Sequence, residues 1–195
     1  MKAPALLPQL QYVLLHVYLL GMVGMLAGGF WMQVAHSEMP CPLCMAQRMA
    51  LTLAAIGPAW VLLQCRFGHR DGASMLVRGM AVSALGAVAG LIVGTRQILL
   101  HILPGDTGYG APVLGLALHI WVVIAGMVIL VVTSVTMLFH NRLEPRPVGR
   151  LNPITAGSLW LLALVTAANA GAVFFEAGFS LFLPENPTGY QLLGG

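Results

Sequence analysis

The amino-acid sequence predicts an all-α polytopic membrane helical bundle, and three observations support this fold class. Of the 195 residues, 58% are hydrophobic and only 8% are charged, whereas soluble domains carry roughly 25% charged residues. The mean hydropathy is +0.87. Five apolar stretches are each long enough to cross a hydrocarbon core, which needs about 20 helical residues. Because a backbone in lipid must satisfy its own hydrogen bonds, all five stretches are expected to be α-helices.

The predicted spans organise residues 1–195 into a single membrane domain. In chain order they cover Gln11–Ala35, Met45–Cys65, Gly79–Leu103, Leu114–Phe139 and Ile154–Phe175. The first stretch has about 25 residues, more than the roughly 7–15 of a signal-peptide core, so it is interpreted as a retained span. Residues 176–195 follow the last span as a tail. No connecting loop is long enough to fold separately, so any chemistry is expected at the membrane surface.

The basic residues predict how the bundle is oriented. Seven of the nine lie on one side of the predicted spans: Lys2, Arg66, Arg70, Arg78, Arg142, Arg146 and Arg150. The positive-inside rule assigns that side to the cytoplasm, so the N-terminus is expected inside and the C-terminal tail outside. The net charge of +3 is spread over the loops and forms no nucleic-acid footprint.

The segment Pro40–Arg48 carries the strongest signal for chemistry. Cys41 and Cys44 form a C-x-x-C pair at the outer end of the second span, a spacing that can close a small disulfide loop and often stabilises a thiolate. Pro42 suits the first helical position, which puts Cys44 in the first turn, where the helix dipole favours an anion. Arg48 follows Cys44 by four residues, on the same helix face. A cation at that depth is costly unless it faces the bundle interior or a polar partner.

Three other uses of the cysteine pair compete with a redox role. A structural zinc site needs two further cysteines or histidines at ligand spacing, and that side of the chain has none. Met45 stands where a c-type haem motif requires histidine. No metal site is therefore predicted. The third cysteine, Cys65, lies at the opposite end of the span and is interpreted as a spare thiol. An inert structural disulfide stays open as an alternative, although it leaves the buried Arg48 unexplained.

The end of the third span provides a second polar cluster at the level of the cysteines. It consists of Arg96, Gln97 and His101, and Arg96 is the only charged residue of that span. Two cations and an imidazole near the outer leaflet suit a quinone, because its carbonyl oxygens gain negative charge on reduction. Arg48, Arg96, Gln97 and His101 are therefore predicted to bind quinone. Snorkelling of Arg96 and an interfacial position for His101 are the alternative interpretations.

The sequence resembles the DsbB family of disulfide bond formation proteins over most of its length. The resemblance rests on Cys41–Cys44 with Arg48, Arg96–Gln97, Pro104–Asp106 through Leu118–Trp121, Glu176–Phe179, Pro184–Pro187 and Tyr190. It implies a four-helix DsbB-like core plus a fifth transmembrane helix in the bacterial inner membrane, with a periplasmic tail. It also implies a thiol:quinone oxidoreductase that reoxidises a periplasmic thioredoxin-like (DsbA-like) oxidase and passes the electrons to ubiquinone or menaquinone. Cys41 and Cys44 would be the redox pair, and Arg48 would face the quinone.

Two features depart from the family pattern. Gln97 stands where some relatives have histidine. The family's second outer cysteine pair, expected in the tail, is missing. Ala177 occupies the first expected position, and residues 179–183 contain no cysteine. The expectation is therefore direct attack by the partner on Cys41–Cys44, or another membrane subunit that supplies the second pair. The alternative from a different class is a non-catalytic membrane subunit of a larger complex, with a structural disulfide.

Overall fold

A computed structural model describes residues 6–36, 38–67, 71–103, 112–145, 152–179 and 189–193. Five long helices follow one another: α1 (Leu6–Ala35), α2 (Pro42–Gln64), α3 (Gly72–Leu100), α4 (Leu118–Leu138) and α5 (Pro153–Ala177). A short 3-10 turn covers Gln191–Leu193. All five helices are long and apolar enough to cross a membrane. The all-α bundle predicted from the sequence is confirmed, and no named strand occurs in the described ranges.

Capping and turn residues explain where the helix bounds differ from the predicted spans. Helix α2 begins at Pro42 because Cys41 caps it, with Cys41 Sγ accepting the backbone N–H of Cys44. Helix α3 begins at Gly72 because Asp71 caps it through the backbone N–H of Ser74. Helix α4 begins only at Leu118, because residues 113–116 form a tight turn in which Leu114 and Gly115 have positive φ angles of 52° and 80°. Hydropathy alone detects none of these local bonds.

Helices α2 and α3 approach each other closely through small residues. A Cβ atom added to Gly86 on α3 would run into the α2 backbone at Ala50 and Ala54. Small residues allow such close approach in lipid, and Gly90 and Gly94 follow Gly86 at intervals of four residues along α3. The last of these glycines packs against Val123 of α4. This tight pairing fixes the C-terminal end of α3 relative to the first turn of α2.

Helix α5 packs on the outside of the bundle, against α1 and α2. Near one end, His16 Nε2 of α1 lies 3.0 Å from Thr155 Oγ1 of α5, and Tyr12 Oη also hydrogen-bonds to this hydroxyl. Near the other end, Asn169 and Glu176 of α5 are buried. Polar contacts at both ends therefore hold α5 in a defined position, which matters because its second end lies beside the cysteines.

Candidate functional site

The cysteine pair lies at the N-terminus of α2, with its sulfur atoms facing a glutamine of α3. Both cysteines are half-buried free thiols, and the predicted first-turn position of Cys44 is confirmed. Cys44 N–H donates to Cys41 Sγ at 3.2 Å. Gln97 Nε2 lies 3.6 Å from Cys41 Sγ and 3.5 Å from Cys44 Sγ, so one amide group donates towards both sulfurs. The structure thus brings the predicted residue Gln97 directly to the cysteine pair.

Gln47 fixes the orientation of the Gln97 amide. Gln47 Nε2 donates to Gln97 Oε1 at 2.7 Å, and both side chains are buried. Because the amide oxygen of Gln97 is engaged by this bond, its NH₂ group is the part left to face the sulfurs. The sequence analysis assigned no role to Gln47. The feature that could have indicated one is its polar side chain in an apolar helix, three positions after Cys44.

The two cysteines differ in how readily they give up a proton. The pKa of the Cys41 thiol is raised above its ordinary value, first by its hydrogen bond with the Cys44 thiol and then by burial. A thiol is reactive as the thiolate. When both thiols are reduced, Cys41 is therefore the thiol that holds its proton more firmly.

Arg48 turns into the bundle interior, where it joins three helices. Arg48 Nη1 donates to Gln33 Oε1 of α1 at 2.7 Å and to Asn169 Oδ1 of α5 at 3.1 Å. Arg48 Nη2 donates to the Gly29 carbonyl oxygen at 2.7 Å. Polar partners in the interior are what the sequence required of a cation at this depth.

The polar cluster continues from Arg48 to a buried carboxyl group. Gln33 Nε2 donates to Glu176 Oε2 at 3.4 Å and lies 3.3 Å from Tyr190 Oη. Glu176 is completely buried. Sequence reasoning did not place Gln33, Asn169 or Glu176 in the site. Each is a polar residue inside an apolar helix, which could have indicated a function. Only the packing of α1 against α5 shows that these side chains lie in one cluster.

Arg96 and His101, the other two residues predicted to bind quinone, have different environments near the end of α3. Arg96 is exposed, because consecutive helical residues point about 100° apart and Gln97 occupies the inward direction. His101 ends α3 half-buried, with its ring centroid 6.1 Å from that of His119 on α4. His119 is buried, and its Nδ1 atom has no hydrogen-bond partner among the described residues. Among the residues that the structure describes, no group of three or more His, Cys, Asp or Glu side chains is placed to hold a metal ion.

A groove of about 880 Å³ separates α1 from α4. Cys44, Arg48, Gln97 and His119 line it at one end, and Gln11 and Thr136 line it towards the other. From Gln11 to Met32 of α1 it extends over about 30 Å at the helical rise per residue. Most of the lining is aliphatic or aromatic, and edge residues such as Val17 and Val131 are exposed on the outer helix faces, so the groove opens towards lipid. Cys41 does not line it.

Residues 11–111, just over half of the chain, match the family described as "Disulfide bond formation protein DsbB". The chain belongs to the DsbB family. The matched segment includes most of α1 and all of α2 and α3, with both cysteines, Arg48 and Gln97, whereas α4 and α5 lie beyond it. Membership of this family and five helices that can cross a membrane fit a multi-pass protein of the inner membrane.

Three curated relatives from this family show the extent of the similarity. The chain is 28% identical over 163 residues to disulfide bond formation protein B 1 of Pseudomonas savastanoi pv. phaseolicola, covering 68% of this chain and 90% of that protein. It is 34% identical over 89 residues to disulfide bond formation protein B of Hahella chejuensis, covering 45% and 50%. It is 32% identical over 95 residues to the Pseudomonas syringae pv. tomato protein of that name, covering 49% and 51%. No solved structure shows a significant match.

Proposed function

We propose that this protein is a thiol:quinone oxidoreductase of the bacterial inner membrane. It oxidises a periplasmic dithiol protein through the Cys41–Cys44 disulfide and passes the electrons to a quinone. The observation that carries the proposal is that the cysteine pair lies at one end of the long apolar groove, whose lining includes Cys44 and not Cys41. We therefore assign Cys44 to the side where a quinone would bind and Cys41 to the protein partner. The names of the relatives, which refer to disulfide bond formation, support the same activity.

The groove fits ubiquinone or menaquinone. Sites for small molecules are mostly apolar, with a few polar groups that fix orientation, and have volumes of roughly 300–1,000 Å³. Here the polar groups cluster at one end, around Cys44, Arg48 and His119, and the remaining length suits a polyisoprenoid chain. The unpartnered Nδ1 of His119 is a buried polar atom for which a ligand oxygen could provide a hydrogen bond. A bound quinone supplies an acceptor for two electrons and two protons.

The residues of this chain account for the thiol exchange. A partner thiolate attacks Cys41 Sγ, the Cys41–Cys44 bond breaks, and Cys44 leaves as the thiolate, facing the Gln97 amide and within the field of Arg48. The partner's second thiolate then attacks the mixed disulfide and releases Cys41. In total the partner loses two electrons and two protons as its own disulfide forms. Cys44 would pass the electron pair to a bound quinone as the Cys41–Cys44 disulfide re-forms.

Quinone reduction by the purified protein tests this function. The protein in detergent, given a soluble short-chain quinone and a reduced thioredoxin-like protein, is expected to reduce the quinone catalytically. Cys41→Ser and Cys44→Ser should each lower the rate to the uncatalysed level, since neither variant can form the disulfide. Cys65→Ser is the matched control, because this third cysteine is buried at the opposite end of α2 and should leave the rate unchanged. A folded wild-type protein that never reduces quinone would point to the non-catalytic subunit instead.

The orientation proposed from the basic residues places the cysteine pair and the tail in the periplasm and the N-terminus in the cytoplasm. A reporter enzyme that is active only outside the cytoplasm, fused after Gly195, is expected to be active. The same reporter inserted after Arg66, between α2 and α3, should be inactive. The reverse pattern, with normal expression of both fusions, would contradict the proposed orientation.

A further inference from the structure

Glu176 is a buried acidic residue for which the proposed thiol exchange has no use. It is the only Asp or Glu within the five helices, and its exposure is 0%. Its Oε2 atom accepts a long hydrogen bond from Gln33, whereas its Oε1 atom has no partner among the described residues. A buried carboxylate is costly unless it is paired, and a carboxyl group that is poorly satisfied readily binds a proton.

The groups that face Glu176 come from three elements. Helix α2 contributes Arg48 and Cys44, and electrostatic interactions of both act on the Glu176 carboxyl group. Helix α1 contributes the uncharged Gln33 amide, and the segment after α5 contributes Tyr190, whose hydroxyl lies near the same amide. Of the charged groups whose electrostatic interactions reach the Glu176 carboxyl, Arg48 is the cation and Cys44 is the group that becomes an anion.

The charge at this site changes during thiol exchange. While Cys41 and Cys44 form a disulfide, a Glu176 carboxylate can balance Arg48. When the disulfide opens, the Cys44 thiolate adds a second negative charge beside the same guanidinium. Charges in a low-dielectric interior interact strongly, so two anions against one cation are unfavourable. Binding one proton restores the balance, and Glu176 is the group placed to accept it.

We propose that Glu176 stores a proton for the redox cycle: it binds one when the Cys44 thiolate forms and releases it when that negative charge leaves. The proposal rests on the proposed function, because the thiolate arises there when the partner attacks Cys41. The protons balance: the partner dithiol loses two protons, Glu176 and the Cys41 thiol each hold one of them between the two half-reactions, and quinone reduction takes up two. Glu176 acts through Arg48 and Gln33, so it is a positioning residue for the thiolate rather than a group that contacts the reacting sulfur.

The test follows thiolate formation without quinone. The reduced protein is treated with iodoacetamide at a series of pH values, and modification of Cys44 is measured by tandem mass spectrometry. In the wild type, ionisation of Glu176 opposes that of Cys44, so the rate should rise over a wider pH range than a single titration spans. In Glu176→Gln this opposition is lost. The profile should steepen to a single titration. It should match the wild-type profile at low pH, where Glu176 is protonated, and reach its maximum about one pH unit lower, so that modification on the upper part of the wild-type curve becomes several-fold faster.

Two further variants separate proton storage from a structural role. Glu176→Asp retains a carboxyl group and should keep the broad wild-type profile. Asn169→Ala removes a neutral partner of Arg48 and no titratable group, so its profile should also keep the wild-type breadth. If Glu176→Gln gives the wild-type profile, or if Asn169→Ala moves it by the same amount, the proposal is wrong.

An infrared measurement on the unmodified chain provides a second readout that does not depend on folding of a variant. Reduction of the Cys41–Cys44 disulfide by a dithiol should produce a carbonyl-stretch band of a protonated buried carboxyl group in the difference spectrum. Absence of this band would overturn proton storage. Both measurements omit quinone, so they can succeed or fail independently of whether the protein reduces quinone.

Discussion

Replacement of Cys44 by alanine is expected to stop turnover completely and to trap the protein partner on Cys41. The free Cys41 thiolate can attack a partner disulfide, but no neighbouring thiol remains to release the mixed disulfide. The substitution also removes the hydrogen bond that raises the pKa of Cys41, which favours the attack. The measurement uses a thioredoxin-like partner with one reactive cysteine, supplied as a mixed disulfide with nitrothiobenzoate. Release of the coloured thiolate and a covalent complex on a non-reducing gel should both approach one equivalent.

The complementary variant is the control for this experiment. Cys41→Ala keeps Cys44, which lines the membrane groove, so we expect at least about tenfold less complex in the same time. Both variants should be tested with Cys65 changed to serine, so that only one thiol remains. Equal complex formation through Cys44 would contradict the division of roles between the two sulfurs. Absence of any complex, with continued quinone reduction by small dithiols in the wild type, would favour a second subunit that carries the missing pair.

Loss of Arg48 is expected to have the second largest effect, on stability as well as on activity. Arg48→Ala leaves Gln33, Asn169 and the Gly29 carbonyl without their donor and leaves Glu176 without its cation. Leaving a buried acceptor without its donor typically costs about 1–3 kcal/mol. The melting temperature of the purified protein should fall clearly, and quinone reduction should drop by about 100-fold, equivalent to about 2.7 kcal/mol of lost stabilisation.

A lysine at position 48 separates the charge from the geometry of Arg48. The ammonium group retains the positive charge but cannot hold three acceptors in the planar fork of a guanidinium. Arg48→Lys should therefore recover part of the activity while the melting temperature remains low. Arg78→Ala, which removes an exposed arginine elsewhere in α3, should change neither value appreciably. If Arg48→Ala melts and reduces quinone as the wild type does, Arg48 is only an anchor at the interface.

The fold could be predicted almost entirely from the sequence because lipid leaves few choices. Hydropathy and length identify the spans, and the backbone must then be helical. The bounds were less accurate wherever a local bond decides them, as at the Cys41 and Asp71 caps. The first-turn position of Cys44 was predictable, since Pro42 and the cysteine spacing are local signals.

The site was only partly predictable, because its remaining members come from different helices. Cys41, Cys44 and Arg48 are close in sequence and share one end of α2. The contact of Gln97 with both sulfurs depends on the rotation of α3, and neighbouring Arg96 turns away for the same reason. Gln33 and Glu176 are 143 positions apart, and their contact depends on the packing of α5 against α1. The periodicity of a single sequence does not predict contacts between residues so far apart in the chain.

The lateral opening between α1 and α4 also has a consequence for how kinetic data should be expressed. Exposed aliphatic residues at the edges of the groove, such as Val17 and Val131, allow a hydrophobic molecule to enter sideways from the bilayer. The concentration that governs occupancy is then the mole fraction of quinone among the surrounding lipids. Diluting reconstituted vesicles with buffer should leave the rate per enzyme unchanged, whereas adding lipid at constant total quinone should lower it. An apparent affinity quoted in molar units would describe the sample and not the protein.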